Sequence, residues 1–339
     1  MTHLTYLEAA VVGLIQGVSE LFPVSSLGHN VLLPALLGGS WASDLNVARP
    51  ESPYLAFIVG LHVATALALL IYFWRDWVRI IGGFFSSIRY RQVRTRDQKL
   101  AWMIILATIP VGLVGLVAEH AFRVIFGKPI YAAVFLMVNG VILYCGEKFR
   151  PRASVRADAM VAREWELAQA GPRGAGPAGY GPADAGGPAR HAAGHQAERQ
   201  EEMTLAIQAD GRLSWLGYTQ AVIIGSAQIL ALLAGISRSG VTMVAGMSRG
   251  LSREDAARFA FLLATPVILA AGVLKIPDLM GPLGHGIRGQ ILLGSVLSGL
   301  GAYVSVRFLM KYFQTRTLTP FAIYCLVFGV ASLVYLTVK

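Results

Sequence analysis

The chain has 339 residues, of which 55% are hydrophobic and only 14% are charged. A soluble domain carries about 25% charged residues, so most of this protein's surface does not face water. The formal net charge of +10 does not indicate nucleic-acid binding, because the basic residues are concentrated in a few loops between apolar runs, as in the cytoplasmic loops of membrane proteins. Composition therefore predicts a membrane protein with no nucleic-acid partner.

Apolar runs of membrane-spanning length, about 20 residues each, occur at six places. They are residues 54–74, 100–118, 130–146, 259–276, 291–309 and 320–338. Two further apolar runs, 6–37 and 215–247, are interrupted by polar, glycine and proline residues. Non-helical backbone is tolerated at membrane depth only when it is buried in protein or lines a wet cavity. The two broken runs therefore predict re-entrant helix pairs.

The distribution of arginine and lysine predicts the orientation of the spans. The loops after the first, third and fifth spans carry an excess of basic residues and should be cytoplasmic. Both termini then lie on the periplasmic or extracellular side, and the two broken runs enter from opposite sides. Residues 151–213, rich in glycine, proline and alanine, are expected to form a flexible cytoplasmic linker. The linker divides a first repeat, 1–150, from a second repeat, 214–339.

The two broken runs share an internal repeat with the pattern G-x-x-Q-x8-S-x-x-G. Because the predicted orientations of the two copies are opposite, the pattern indicates an inverted repeat whose broken helices build one site near the midplane of the membrane. The sequence thus predicts an all-α integral membrane protein with an inverted-topology repeat, six full transmembrane helices and two re-entrant helix pairs. The repeated positions are Gly13, Gln16, Ser25 and Gly28 in the first copy and Gly225, Gln228, Ser237 and Gly240 in the second.

The first broken run contains QGVSELFPVSSLGH at residues 16–29. A carboxylate at the centre of a membrane helix costs about 2.5–3.5 kcal/mol, so Glu20 is expected to face a partner or a wet cavity. Gln16 lies one helical turn earlier on the same face, and the side chains of Ser25, Ser26 and His29 follow. Polar contacts between packed helices are the alternative explanation. These five polar or ionisable side chains within fourteen residues exceed what packing requires.

The second broken run contains AGISRSGVT at residues 234–242. An arginine flanked by hydroxyls and glycines at the start of a helix is suited to binding an oxyanion, because the guanidinium and the helix N–H groups all donate to it. The alternative is that Arg238 snorkels to the membrane surface from a helix end. Together the two segments provide a carboxylate, an imidazole, hydroxyls and an arginine, which suit phosphoryl transfer better than acyl transfer.

These segments resemble the two signature motifs of the undecaprenyl-diphosphate phosphatase family, also called BacA/UppP and linked to bacitracin resistance. The first motif, (E/Q)-G-x-x-E followed by P-V-S-S-x-G-H, is matched at 16–20 and 23–29, and the second, P-G-x-S-R-S-G-x-T, at 235–242. The chain departs from the family pattern at three positions. Gln16 replaces a frequent glutamate, Leu27 a frequent threonine, and Ala234 the proline before the glycine. The 151–213 stretch looks like an insertion outside the resemblance.

The resemblance implies hydrolysis of a C55 isoprenoid diphosphate to the monophosphate, with a divalent cation (Mg²⁺ or Ca²⁺), at the outer side of the bacterial plasma membrane. Arg238 would clamp the phosphate that is cleaved, and Glu20 would hold the cation or act as general base. His29 would be the acid/base partner, and Ser26 either the nucleophile or a phosphate ligand. Ser25, Ser237, Ser239 and Thr242 are further candidates for phosphate binding, and Gln16, Gln228 and His62 for supporting positions in the cavity.

Two other functions are compatible with parts of the pattern. Inverted repeats with broken helices also build transporters, so a transporter or flippase of a lipid phosphate is the main alternative. The acid-phosphatase type of lipid phosphatase is disfavoured, because no histidine follows Arg238 at the spacing that this class requires. The sequence leaves the oligomeric state open, with a homodimer among the alternatives.

Overall fold

The computed structural model describes residues 4–45, 53–169, 211–280 and 286–338, and all regular structure in these ranges is helical. The first half contains α1 (Tyr6–Ser19), α2 (Ser26–Leu37), α3 (Gly39–Asp44), α4 (Pro53–Tyr72), α5 (Trp74–Tyr90), α6 (Arg96–Phe126), α7 (Pro129–Lys148) and α8 (Arg152–Gln169). The second half contains α9 (Tyr218–Ser226), a 3-10 helix (Ala227–Leu232), α10 (Arg238–Ser248), α11 (Arg253–Met280), α12 (Arg288–Tyr312) and α13 (Thr319–Val338).

Five of these helices, α6, α7, α11, α12 and α13, are long and apolar enough to cross a membrane. The sixth predicted span corresponds to α4; together with α5, which turns away from it by 85°, it passes the same test of length and apolar composition. The described part of the chain is all-helical, and the chain is a multi-pass membrane protein, as the composition predicted. The two interrupted runs are also broken helices, because the chain leaves helical geometry between α1 and α2 and again before α10.

Two segments that were predicted to be loop or linker are helical. The basic segment after the first span contains α5, and the predicted flexible linker 151–213 begins with α8. The Ser154 hydroxyl on α8 donates to the carbonyl of Leu251 at 2.6 Å, and Asp158 pairs with Arg150 at 2.6 Å and with Arg253 at 2.5 Å. These tertiary contacts fix α8, whereas the prediction rested on composition alone. Residues 170–210, which include the Gly/Pro-rich stretch that begins at Gly171, lie outside the described residues.

The glycines that open the two repeat motifs allow close helix packing. A Cβ on Gly13 would lie 2.4 Å from the carbonyl oxygen of Gly294, where α1 packs on α12. A Cβ on Gly225 would lie 2.0 Å from the carbonyl oxygen of Ala107, where α9 packs on α6. Small residues at such contacts let helix backbones approach closely in a membrane, where no hydrophobic force between helices is available. Each short helix is therefore held against a long one.

The remaining packing brings the two chain breaks together. The pairs α4–α11 and α7–α13 lie side by side, and both α2 and α10 contact α7. Because α2 and α10 start directly after the two breaks and both pack on α7, their first turns lie next to each other. The polar residues of both signature segments lie at this junction.

Candidate active site

Ser25, the N-cap residue immediately before α2, shapes the first break. Its backbone has φ 68°, one of two positive values at non-glycine residues among those described, and such a conformation costs about 1–3 kcal/mol unless neighbours impose it. The Ser25 hydroxyl accepts a hydrogen bond from the amide of Gly28 at 3.2 Å and so caps the helix. The cap places Ser26 in the first turn of α2, beside the carboxylate of Glu20.

The second break has the same construction. Ser237 caps α10 by accepting a hydrogen bond from the amide of Gly240 at 3.2 Å. Gly235, two residues earlier, has φ 114°, and a Cβ there would lie 2.5 Å from the carbonyl oxygen of Ala132. Both the backbone conformation and the close approach therefore require glycine at this position. The cap places Arg238 in the first turn of α10, equivalent to Ser26 in α2.

Direct hydrogen bonds join the two breaks. The amide of Gly235 donates to the Ser25 hydroxyl at 3.2 Å. The hydroxyls of Ser237 and Ser239 lie 3.1 Å apart and approach the carbonyl oxygen of Phe22 at 3.5 Å and 3.4 Å. These two serines, predicted to bind phosphate, thus contact the first break, and they help to hold Arg238 next to Glu20.

Asn139 on α7 bridges the two breaks with a single side chain. Its Nδ2 donates to the carbonyl of Pro23 at 3.0 Å, and its Oδ1 accepts from the amide of Ser237 at 3.0 Å. Nδ2 also lies 3.3 Å from the sulfur of Cys325. The side chain is 0% exposed. Asn139 was not predicted from the sequence, although a lone asparagine inside an apolar run is a signal for a polar contact in the bundle.

For the diphosphate hydrolysis that the family resemblance implies, Asn139→Leu, which keeps a similar side-chain shape but removes both bonds, should lower kcat more than it raises KM. The reason is that Pro23 and Ser237 lose a shared partner, and buried polar groups left unpaired cost about 1–3 kcal/mol each. Phosphate-release kinetics together with thermal unfolding would measure both effects. Cys325→Ala is the matched control, since Cys325 is equally buried and touches Asn139 without bridging the breaks. An unchanged kcat in a folded Asn139→Leu protein would contradict the bridging role.

Glu20 is the centre of the polar network. Its Oε2 accepts hydrogen bonds from Gln16 Nε2 at 2.8 Å and from the Ser26 hydroxyl at 2.5 Å. Its Oε1 accepts from Nη2 of Arg238, and Nε2 of His62 lies 3.4 Å from Oε2. The Glu20 side chain is 3% exposed, whereas that of Arg238 is 20% exposed. The guanidinium therefore neutralises a buried carboxylate while it still reaches the open side of the site.

The two predicted histidines occupy different places. Nδ1 of His62 lies 2.9 Å from the carbonyl oxygen of Ile58. Because a carbonyl can only accept, Nδ1 carries a proton and Nε2 is the nitrogen that faces Glu20. His62, predicted as a supporting residue of the cavity, therefore lies directly at the carboxylate.

His29 is held on the other side of α2. Its Nδ1 lies 2.7 Å from the carbonyl oxygen of Ser25, and its Nε2 lies 2.7 Å from the Tyr324 hydroxyl. The same tautomer argument makes Nε2 the acceptor and Tyr324 the donor. The ring also stacks on Phe328, with centroids 5.3 Å apart. Both described hydrogen bonds of His29 thus support the Ser25 turn and α13, rather than the Glu20 carboxylate.

The remaining candidates divide into residues inside and outside the network. Gln16, besides donating to Glu20, accepts from Nδ2 of Asn30 at 2.7 Å. The Thr242 hydroxyl donates to the carbonyl of Arg238 at 2.7 Å and so supports its own helix. Gln228 is buried, and neither of its amide atoms has a hydrogen-bond partner in the described part of the chain. The repeat motif therefore places Gln16 in the site but gives Gln228 no matching bonds.

The donor set fits a cation only in one way. Within the described ranges, no group of three or more histidine, cysteine, aspartate or glutamate residues could hold a metal. Magnesium is commonly bound by one or two carboxylates together with substrate phosphates and water. Glu20, with Ser26 beside it, fits a cation of that kind, which would share its coordination with the substrate.

The two broken helices of a multi-pass membrane protein thus bring together a serine hydroxyl, a buried carboxylate and an arginine. The family described as bacitracin resistance protein BacA matches residues 9–170 and 195–331. The chain belongs to this family.

Relatives with assigned names are similar along almost the whole chain. A protein of Mycolicibacterium paratuberculosis named undecaprenyl-diphosphatase is 58% identical over 337 residues, which are 99% of each chain. A protein of Mycobacterium avium with the same name is 57% identical with the same coverage. Undecaprenyl-diphosphatase 2 of Frankia alni is 52% identical over 97% of each chain.

The family match corrects the extent of the predicted insertion. All of 151–213 was predicted to lie outside the resemblance, but the match continues to residue 170 and resumes at 195. Within 151–213 the unmatched part is 171–194, which contains the Gly/Pro-rich stretch. The helix α8 therefore belongs to the part that the family shares.

Proposed function

We propose that this chain hydrolyses undecaprenyl diphosphate to undecaprenyl phosphate and inorganic phosphate, and so recycles the lipid carrier of cell-wall synthesis. The observation that carries the proposal is the Ser26 hydroxyl, 2.5 Å from the Glu20 carboxylate, with Arg238 on the other carboxylate oxygen. A hydroxyl, a carboxylate that can act as its base and a guanidinium that can bind phosphate thus meet at one point. Family membership and the names of the relatives agree with this activity.

Ser26 is the nucleophile in this proposal. Its Oγ attacks the terminal phosphorus of the diphosphate while Glu20 accepts the hydroxyl proton. The bond from that phosphorus to the bridging oxygen breaks, and undecaprenyl phosphate leaves with the bond electrons. A water molecule then attacks the phosphoserine, Glu20 returns its proton to Ser26, and inorganic phosphate leaves with the remaining proton going to solvent. Ser26 and its base are therefore restored after each turnover.

Arg238 binds the terminal phosphate. In the described geometry its guanidinium is paired with Glu20, and a planar guanidinium can hold a carboxylate and a phosphate oxygen at the same time. Ser26 and Arg238 are both in the first turn of a helix, where the helix dipole favours an anion. The N-termini of α2 and α10, one after each break, thus both contribute to phosphate binding.

A divalent cation, Mg²⁺ or Ca²⁺, is part of the proposal, with Glu20 as its protein ligand and phosphate oxygens as the others. Such a cation would supply neutralisation of the charge that develops on the phosphate. The residues Gln16 and His62, which contact Glu20, would orient the carboxylate toward it. A chelator should therefore reduce turnover.

We also propose that the fold is the inverted repeat of 1–150 and 214–339. The packing supports this arrangement because several of the helix pairings have counterparts after exchange of the halves. The pair α1–α12 matches α9–α6, and α2–α13 matches α10–α7, while α4–α11 and α7–α13 match themselves. The serine caps of α2 and α10 add a matching local feature.

The proposed site opens to the outer side of the bacterial plasma membrane, and cysteine labelling tests that orientation. In a variant lacking Cys145 and Cys325, Ser43→Cys should react with a membrane-impermeant thiol reagent in intact cells, and Gln92→Cys should react only after lysis. Both positions are exposed, and the arginine-rich segment around residue 92 should be cytoplasmic. The reverse labelling pattern would contradict this orientation.

Purified protein in detergent tests the function directly. It should release phosphate from undecaprenyl diphosphate in a cation-dependent manner, and acid quenching should trap phosphate on Ser26. A transporter or flippase would release none in detergent, where no compartments exist. Shorter isoprenoid diphosphates assayed in parallel would define the chain-length preference. Absence of phosphate release with a folded protein would overturn the proposed function.

A further inference from the structure

The helix α5 presents an apolar stripe away from the bundle. Trp74, Val78, Ile81, Phe85 and Ile88 follow one another at spacings of three and four residues, so they share one face. Each of these side chains is about half exposed or more, from 48% at Ile81 to 63% at Phe85. The opposite face of α5 packs on α6. The stripe therefore has no cover from the described part of the chain.

The direction of α5 indicates what lies beneath the stripe. The helix turns by 85° from the apolar helix that precedes it, Phe57–Tyr72. A helix nearly perpendicular to a membrane span runs along the membrane surface, with its apolar face toward the acyl chains. The stripe thus continues the apolar surface of the span along the plane of the membrane.

The charged residues of α5 and of the short segment after it indicate which kind of membrane surface the stripe faces. Arg75, Arg89, Arg91 and Arg94 are exposed, whereas the two nearby acidic side chains, Asp76 and Asp97, both lie within ion-pair distance of Arg79. Asp76 is buried and bonded to Arg79 at 2.5 Å and to Arg258 of α11 at 2.9 Å. The outer side of the segment is therefore strongly cationic.

We propose that α5 and the short segment after it bind anionic phospholipids, with the stripe among the acyl chains and the arginines on the headgroup phosphates. The exposed apolar stripe and the arginines fit an interfacial helix, since apolar burial and electrostatic attraction to anionic lipid add to each other. This inference is independent of the proposed enzymatic function. The lipids that bind to α5 are those of the leaflet on the side of the basic loops.

The position of α5 in the membrane can be measured with spin labels. In nanodiscs of phosphatidylglycerol and phosphatidylcholine, labels at Ile81→Cys and Phe85→Cys in the protein without native cysteines should collide often with oxygen and rarely with a water-soluble nickel chelate. A label at Gln92→Cys should show the reverse. Frequent nickel collisions at 81 and 85 would place the stripe in water. Few collisions with either reagent would show that protein, such as a second copy of the chain, covers it. Either outcome would overturn the proposal.

The choice of lipid is tested by charge removal with a matched control. Arg89→Gln, Arg91→Gln and Arg94→Gln combined should reduce the retention of phosphatidylglycerol over phosphatidylcholine in native mass spectra by at least about two-fold. The control combines Arg152→Gln, Arg156→Gln and Arg163→Gln, which removes three exposed charges from α8 and should retain the wild-type preference. Equal retention by both triple variants would show that α5 does not select anionic lipid.

Discussion

Glu20→Gln should abolish measurable phosphate release while the protein remains folded. The amide has the size of the carboxylate, so the packing around it persists. It cannot accept the proton of Ser26, and a neutral group no longer pairs with Arg238 or a cation. General bases contribute about 10²–10⁴-fold to rate, so a loss of that order is expected in kcat at saturating Mg²⁺ or Ca²⁺. Release kinetics, with thermal unfolding to confirm folding, measure it.

Gln16→Glu is the control for this prediction. The family pattern admits glutamate at this position, so activity should be retained. In the structure Gln16 Nε2 donates to Glu20 at 2.8 Å, and a glutamate there would place two carboxylates in contact. Like charges at that distance need a cation or a shared proton between them. Turnover of Gln16→Glu should therefore depend more steeply on the divalent cation. Full activity of Glu20→Gln at saturating cation would remove Glu20 from the mechanism.

Arg238→Lys should lose most of the activity although the positive charge is kept. A guanidinium presents several donors in one plane and can bind Glu20 and a phosphate oxygen together, whereas an ammonium is a compact point charge. A lost charge-assisted hydrogen bond is worth about 1.5–3 kcal/mol. If the loss falls on the transition state, kcat/KM decreases roughly 10- to 150-fold.

Two variants on the same helix make that result interpretable. Arg249→Lys at the exposed end of α10 should behave as wild type. Ser237→Ala removes the helix cap and should cost less, about 1 kcal/mol of stability, with a smaller change in kcat/KM. Activity of Arg238→Lys equal to wild type at all substrate concentrations would mean that Arg238 only balances the charge of Glu20.

The sequence alone determined the membrane class, the helical spans and the two breaks. Their signals are local, since a run of about 20 apolar residues can do little else than span a bilayer. Ser25 and Ser237 were predicted as phosphate ligands, and in the structure they also cap the helices that follow the two breaks, while Gly235 supplies the positive φ before α10. Glu20 and Arg238 were likewise predictable as site residues, because an unpaired charge in the membrane is costly.

Tertiary structure decided which of these groups meet. Glu20 and Arg238 are 218 residues apart in sequence, and no sequence pattern indicates that the guanidinium of Arg238 reaches the carboxylate of Glu20. The sequence favoured His29 over His62 as the acid/base partner, but in the structure His62 lies beside Glu20. Which imidazole faces Glu20 depends on how α4 and α2 pack against α1. Asn139 was missed for the same reason, as its two hydrogen bonds reach both breaks from a third helix. Hydrogen bonds between distant elements depend on distance and direction in space, and only packing of the whole bundle sets those.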